Sequence, residues 1–164
     1  ILYTYIFPFL ERANMAGSIS GILLTFGLTS LLGIGIVGAR VDRWLRGLSL
    51  LATALFALSA VLMTSALPWV IYTATGLWGL AFGGAATLFQ TALAKSAGDA
   101  ADIAQSMLVT AWNLAIAGGG LAGAAILHSF GAGYFPPVIL SLLLLTALIV
   151  MRAKQHGFPP ADSD

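Results

Sequence analysis

Two long stretches of the chain, residues 47–94 and 103–151, contain no Asp, Glu, Lys or Arg. Each is about 48 residues long, consists mainly of Leu, Ala, Gly, Val, Ile and Phe, and is interrupted once by turn-forming residues. A helix needs about 20 apolar residues to cross a bilayer core of about 30 Å, so each stretch can cross twice. A third uncharged run, residues 13–39, can cross once. The chain is therefore predicted to be an all-α integral membrane protein.

The composition agrees with this prediction and excludes other classes. Charged residues make up 8% of the chain, whereas a soluble domain carries about a quarter, so a water-facing surface could not be covered. The chain has no cysteine, which excludes disulfides and thiolate metal sites. There is no basic cluster of the kind that binds nucleic acid. We expect no cofactor and no metal, and a lipid bilayer as the surroundings.

Charges and helix-breaking residues divide the chain into spans. The opening residues, 1–10, are too short to span and are interpreted as the end of a helix whose beginning is missing, so the chain is expected to be a fragment. Pro68 is expected to open a helix after a tight turn. The predicted complete spans are residues 16–37, 48–67, 68–94, 103–130 and 135–151. Residues 1–153 would form one bundle of six helices, and residues 154–164 a polar tail.

Basic residues in short loops mark the cytoplasmic side of a membrane protein. Because successive spans alternate in direction, the loops after the first and third complete spans share one side with the tail. That side carries six basic residues and the opposite side carries one: Arg40, Arg43, Arg46, Lys95, Arg152 and Lys154 against Arg12. The C-terminus is therefore predicted to be cytoplasmic, in a bacterial type of inner membrane.

Glycine is concentrated in three of the five complete spans and is absent from residues 48–67 and 138–151. Small residues allow membrane helices to approach closely, so the glycine-bearing spans are predicted to be central and the other two peripheral. Several small residues recur every four positions on one helix face: Gly17, Gly21, Thr25, Thr29 and Gly33; Gly83, Thr87 and Thr91; Ala111, Ala115, Gly119 and Gly123. Among these, Gly83, Gly119 and Gly123 are predicted packing positions.

Polar groups at membrane depth are costly and therefore suggest function. Asn113, which follows Trp112, could line a polar cavity or make a hydrogen bond between helices, and Gln90 is a second cavity candidate. No carboxylate pair or histidine pair points to catalysis, so the chain is predicted not to be an enzyme. A membrane hydrolase using Ser20 and His128 is a remote alternative.

A motif follows the first complete span. Residues 38–46, Gly-Ala-Arg-Val-Asp-Arg-Trp-Leu-Arg, resemble the Gly-x-x-x-Asp-Arg-x-Gly-x-Arg signature of the major facilitator superfamily, with Gly38, Asp42 and Arg43 matching and Arg46 in its basic end. Leu45 departs from the glycine that the signature prefers. The resemblance implies a gating loop in which Asp42 latches a neighbouring helix end; the alternative is that Asp42 is merely solvated while the arginines hold the loop inside.

Two further segments, residues 5–10 and 105–120, look like helices 7 and 11 of the family's drug- and sugar-efflux branch. The whole chain would then be the C-terminal six-helix half, helices 7 to 12 with most of helix 7 missing. In that family, helices 7 and 10 line the central cavity, which makes Tyr3, Tyr72 and Gln90 candidate cavity residues. Asn113 would lie on the cavity wall or between the halves.

The resemblance implies a transporter that exports a small organic solute, a sugar or a drug-like compound, by proton antiport and alternating access. Its partners would be the solute and the missing N-terminal half. No carboxylate lies within the predicted spans, so a coupling group would belong to that half. The alternative from another class is a membrane scaffold or subunit that binds a partner through its glycine-rich helix faces.

Overall fold

In this computed structural model, which describes residues 1–153, the described chain forms helices joined by short turns. Three stretches are long and apolar enough to cross a membrane: Ala16–Leu62, Pro68–Phe130 and Ala132–Arg152. The prediction of an all-helical membrane protein is confirmed. The helices are α1 Ile6–Arg12, α2 Ile19–Leu62, α3 Pro68–Gly83, α4 Ala85–Ala97, α5 Ala101–Phe130 and α6 Phe135–Arg152, with short 3-10 turns at Ala16–Ser18, Gly98–Ala100 and Ala132–Tyr134. The predicted tail, with Lys154, lies outside the described residues.

The first part of α2 runs parallel to α3. Near the start of both helices, the Tyr72 hydroxyl lies 2.5 Å from the position that a Cβ on Gly21 would take. Near the end of α3, a Cβ on Gly83 would collide with the carbonyl oxygen of Ser30. The first part of α2 and α3 therefore run in the same direction along the bundle. Since they are parallel neighbours, the chain must return to the starting end between them.

That return takes place inside α2. Trp44 has non-helical backbone angles, with φ −125° and ψ 27°. Beyond it, Ser59 Oγ donates a hydrogen bond of 2.7 Å to the Ala74 carbonyl, and Met63 shares a buried cluster with Ile71. Residues 45–62 therefore run antiparallel to α3, and α2 is two passes folded back at Trp44.

The predicted loop over residues 38–46 is therefore wrong in its secondary structure. The helix continues through residues 38–43 and is broken only at Trp44. The segment contains no proline and a single glycine, Gly38, so nothing in it interrupts the backbone hydrogen bonds earlier. The span predicted over residues 48–67 ends at Leu62.

The span predicted over residues 68–94 is two helices. Pro68 opens α3, as expected, but the run breaks at Gly84 before α4 begins. A Cβ on Gly84 would collide with the Val37 side chain, so only glycine permits this contact. After α4 the chain reverses at Gly98, whose φ of 50° is a conformation that glycine adopts without strain.

The passes alternate between two ends of the bundle. At one end, here called the basic end, Lys95 Nζ donates a hydrogen bond of 2.8 Å to the Asp42 carbonyl oxygen, and Arg46 donates one of 3.3 Å to the Met151 carbonyl. At the other, here called the turn end, a Cβ on Gly133 would lie 2.5 Å from the Arg12 guanidinium carbon. The separation of basic residues that the charge pattern predicts is present within the described chain.

A seam of small residues joins the first part of α2 to α3. A Cβ on Gly33 would collide with the Leu80 carbonyl, and one on Gly79 would lie 2.5 Å from the Phe26 carbonyl oxygen. Backbones can approach this closely only without side chains between them, which gives membrane helices their van der Waals contact. The predicted close packing of these two glycine-bearing spans is therefore present.

The third glycine-bearing span, α5, does not take the central position that the glycine pattern predicts. Gly123 is its one buried residue, and a Cβ added at Gly118 or Gly120 would meet nothing within 4 Å. This helix touches the rest of the bundle along one edge, where Tyr5 Oη donates a hydrogen bond of 2.8 Å to the Gly120 carbonyl. Much of α5 is open in the described chain.

Candidate functional site

Aromatic side chains from five segments surround one open cavity of about 710 Å³. The segment before α1, the first part of α2, α3, α4 and α5 each contribute. We call this the ring-lined cavity, and its rings are Tyr3, Phe26, Trp78, Phe82, Phe89 and Trp112. Its volume lies within the range of about 300–1,000 Å³ that small-molecule sites occupy. The five segments therefore form a recess of suitable size for a small solute.

The six rings form one connected row. At one end of the row, the Phe26 ring has two neighbours. Its centroid lies 4.5 Å from the centroid of Trp78 and 5.6 Å from that of Tyr3. Phe26 also lies 5.8 Å from Phe82. The row continues from Phe82 to Trp112 at 6.5 Å and from Trp112 to Phe89 at 5.9 Å. These separations and tilted or edge-on angles are typical of favourable aromatic pairs.

Local features of the sequence place these rings. Trp78 and Phe82 are four residues apart on α3, so they lie on one helix face. The Phe26 ring reaches Trp78 because Gly79 has no side chain, which allows the α3 backbone to approach the Phe26 carbonyl. Phe89 lies beyond the break at Gly84, so the row continues onto α4. The small-residue seam is thus the reason that α2 and α3 share a ring cluster.

A second, smaller hollow adjoins the cavity. It measures about 290 Å³ and lies between α4 and α5, where three carboxamide side chains and two rings meet. We call it the amide pocket, defined by Gln90, Gln105, Asn113, Phe89 and Trp112. Phe89 and Trp112 line both hollows, so the two are adjacent. Each carboxamide offers both a donor and an acceptor, and the pocket can therefore bind either kind of polar group.

A third hollow of about 360 Å³ extends from the ring-lined cavity toward α6. It shares Tyr3, Trp78 and Phe82 with the cavity, and apolar residues such as Phe56 and Leu143 also line it. Its lining is mostly aliphatic. It enlarges the apolar part of the recess and adds no charged group.

Three of the four predicted cavity residues line these hollows. Tyr3 lies in the ring-lined cavity with 59% of its surface exposed, and Gln90 and Asn113 lie in the amide pocket. Tyr72 does not line these three hollows, because its hydroxyl packs on Gly21 at the seam. It shares a helix face with Gly76 and Gly83, and that face meets α2.

The sequence interpretation did not single out most of the lining. Gln105 and the rings of Phe26, Phe82 and Phe89 are among these lining residues. An aromatic residue in an apolar helix can face lipid, core or cavity, and composition does not distinguish these. The spacing of Trp78 and Phe82 is the one signal that could have found part of the row.

The remaining predicted residues lie at the basic end and at helix contacts. Gly38, Asp42 and Arg43 are exposed, and Arg46 is partly buried. Lys95 binds Asp42 through the backbone carbonyl rather than the carboxylate. This contact joins α4 to the reversal at Trp44.

The predicted packing glycines differ in how closely they are approached. Gly83 lies against the Ser30 carbonyl, and a Cβ on Gly123 would collide with the Tyr5 ring. At Gly119 the nearest atom to an added Cβ is the Ile1 nitrogen, at 3.3 Å. Gly119 is therefore the loosest of the three contacts.

Metal-ligating side chains do not gather in residues 1–153, since no three of His, Cys, Asp and Glu there could hold an ion. The hollows described above are likewise lined by uncharged side chains. The arrangement therefore offers stacking surfaces, apolar contact and carboxamide hydrogen bonds. These are means of binding a solute.

The chain is similar to named efflux proteins. It is 28% identical over 136 residues to a probable sugar efflux transporter of Helicobacter pylori, which covers 80% of this chain and 35% of that protein. It is also 28% identical over 176 residues to a chloramphenicol efflux pump of Mycobacterium tuberculosis, covering 96% of this chain and 40% of that protein. The chain thus spans well under half of these relatives.

A probable sugar efflux transporter of Helicobacter acinonychis is 26% identical over the same share of the chain. No family model matches the chain, and no solved structure matches it. These similarities agree with the transporter resemblance that the motifs suggest, and they support an efflux-type membrane protein.

Proposed function

We propose that this chain is one lobe of a membrane transporter that exports a small organic solute. In this proposal it is the C-terminal six-helix half of a major facilitator fold, and the ring-lined cavity is its share of the solute pathway. The observation that carries the proposal is that five segments of a membrane-embedded chain converge on one recess of about 710 Å³. Similarity to proteins named for efflux, along most of the chain, supports it.

The mechanism we propose is alternating access, in which this lobe rocks against a second lobe around the recess. The basic end would face the cytoplasm, because five basic residues of the described chain lie there. Contacts between Lys95 and Asp42 and between Arg46 and Met151 join α4, the Trp44 reversal and α6 at that end. These contacts would hold the basic end together while the recess opens toward the other side.

We further propose that export is driven by proton antiport. No carboxylate lies in residues 47–94 or 103–151, and antiport needs an ionisable group at membrane depth. The coupling group would therefore be supplied by the second lobe. In this arrangement the present lobe contributes solute binding and gating.

The test is an accumulation assay with the full-length protein expressed in efflux-deficient bacteria. Cells are given radiolabelled chloramphenicol or radiolabelled arabinose, with and without a protonophore. We expect expressing cells to retain less of at least one compound, and the protonophore to abolish the difference. Equal retention of both compounds, at verified membrane levels of the protein, would contradict the proposal.

The scaffold alternative has one observation in its favour, the open face of α5 around Gly118 and Gly120. The transporter proposal assigns that face to the second lobe. Crosslinking separates the two: a transporter should give a link within one polypeptide, and a scaffold should give a link to another protein.

A further inference from the structure

We infer that the exported solute is an uncharged aromatic compound that carries hydroxyl or amide groups. Its aromatic body would occupy the ring-lined cavity, and its polar arm would occupy the amide pocket. This inference rests on the proposed function and specifies its substrate class. It is based on the lining of the two hollows: aromatic rings line the ring-lined cavity, and carboxamides line the amide pocket.

The ring-lined cavity favours a flat apolar body. Three of its rings are open toward the recess side of the bundle, with exposed fractions of 59% for Tyr3, 43% for Phe82 and 42% for Phe89. Rings at these tilts can take a further ring in an offset or edge-on position. The row is continuous, so a ring bound along it has an aromatic neighbour.

The amide pocket supplies the complementary polar end. Gln90, Gln105 and Asn113 come from two helices and face one hollow, where each can donate and accept a hydrogen bond. A hydroxyl or an amide matches this mixed set, since it also donates and accepts. Because Phe89 and Trp112 line both hollows, one molecule can place its ring on one side of them and its polar arm on the other.

A sugar fits this surface less well. It carries a hydroxyl group on nearly every carbon, and each one buried without a partner has a cost in free energy. In the ring-lined cavity, the polar side-chain groups are the Tyr3 and Thr4 hydroxyls and the indole N–H groups of Trp78 and Trp112. The carboxamides are confined to the neighbouring pocket and cannot surround a sugar in the cavity.

An ionic solute fits less well for another reason. The residues that line the two hollows within the described chain include no Asp, Glu, Lys or Arg. A buried charge without a counter-charge is strongly disfavoured, so an ionic solute would depend for its counter-charge on the second lobe, to which the proposed function assigns the coupling group. Aromatic faces attract cations to some extent, which makes an aromatic cation the informative competitor in an experiment.

The experiment compares three probes in cells that express the full-length protein. Radiolabelled chloramphenicol is an uncharged nitroaromatic with hydroxyl and amide groups, ethidium is an aromatic cation, and arabinose is a sugar. We expect export of chloramphenicol and much weaker export of the other two. Export of arabinose or ethidium in preference to chloramphenicol would overturn the inference and leave the transporter proposal standing. Export of none of them, at verified membrane levels, would overturn both.

Substitutions then test the two hollows separately. Trp112→Leu removes the ring that both hollows share and should raise the half-saturating chloramphenicol concentration about tenfold. Trp112→Tyr keeps a ring and should restore most of the affinity, which distinguishes a lost stacking surface from a folding defect. Trp69→Leu, at a tryptophan that is 69% exposed at the turn end, is the matched control and should change nothing.

Gln105→Leu should raise the same concentration about fivefold, the effect of one lost hydrogen bond. Thr110→Val, at an exposed neighbouring position on α5, is its control. Unchanged half-saturation in both Trp112→Leu and Gln105→Leu would show that the solute binds elsewhere and would overturn the inference.

Discussion

Gly83 and Gly27 are two glycines of the same bundle with opposite surroundings. A Cβ on Gly83 would collide with the Ser30 carbonyl, whereas one on Gly27 would meet nothing within 4 Å. The four-residue spacing predicts Gly83 as a packing position and does not include Gly27, but it does not say which helix Gly83 meets. The difference arises because close approach is a property of a pair of helices, and the partner helix is not encoded in the spacing of one.

At this scale we predict that Gly83→Ala destabilises the protein while Gly27→Ala does not. Inserting a methyl group into a tight contact costs about 1–3 kcal/mol, and alanine in an open helix position instead gains up to about 1 kcal/mol over glycine. Thermal unfolding of the two purified variants in detergent measures the difference. A Gly83→Ala midpoint equal to or above that of Gly27→Ala would contradict the seam between α2 and α3.

Asp42 allows a second residue-level prediction. Its carbonyl accepts the hydrogen bond from Lys95, so Asp42→Asn leaves that bond possible and removes only the negative charge beside the ammonium. If the charge helps to latch the basic end, export should fall at least about fivefold, the lower end of usual coupling energies. Transport rates and membrane levels are measured together, and normal export by Asp42→Asn would show that the carboxylate is merely solvated.

Among the elements, the apolar helical segments could be predicted from the sequence, but their joints could not. The uncharged stretches and Pro68 predicted the starts of α3 and α5 closely, because these signals are local features of the sequence. The reversal at Trp44 and the break at Gly84 depend on what lies opposite them. Val37 is the neighbour that makes Gly84 necessary, and it is 47 positions away in the chain.

The candidate site follows the same division. The carboxamides of Gln90 and Asn113 could be selected because a polar group in an apolar span is conspicuous. Apart from the spacing of Trp78 and Phe82, the ring row could not be predicted, because Phe26 and Phe89 look like any other apolar residue of a membrane helix. Tyr72 was selected for its helix alone, and the structure places it on the face that meets α2.

For the whole molecule, the two ends of the bundle lead to a prediction of orientation. Asp99 is exposed near the basic end and Ala66 is exposed at the turn end, and neither is a cavity residue. Because basic loops stay in the cytoplasm, Ala66→Cys should react with a membrane-impermeant maleimide in intact cells. Asp99→Cys should react only after permeabilisation. The test uses the full-length protein freed of any other cysteine, and the reverse labelling pattern would contradict the proposed orientation.

The helical reversal at Trp44 has a mechanical consequence. Only Trp44 separates residues 19–43 from residues 45–62, so the two passes should move together where they meet at the basic end. A displacement at the basic end would then be transmitted along both passes, and residues 19–43 would slide against α3 along the seam of small residues.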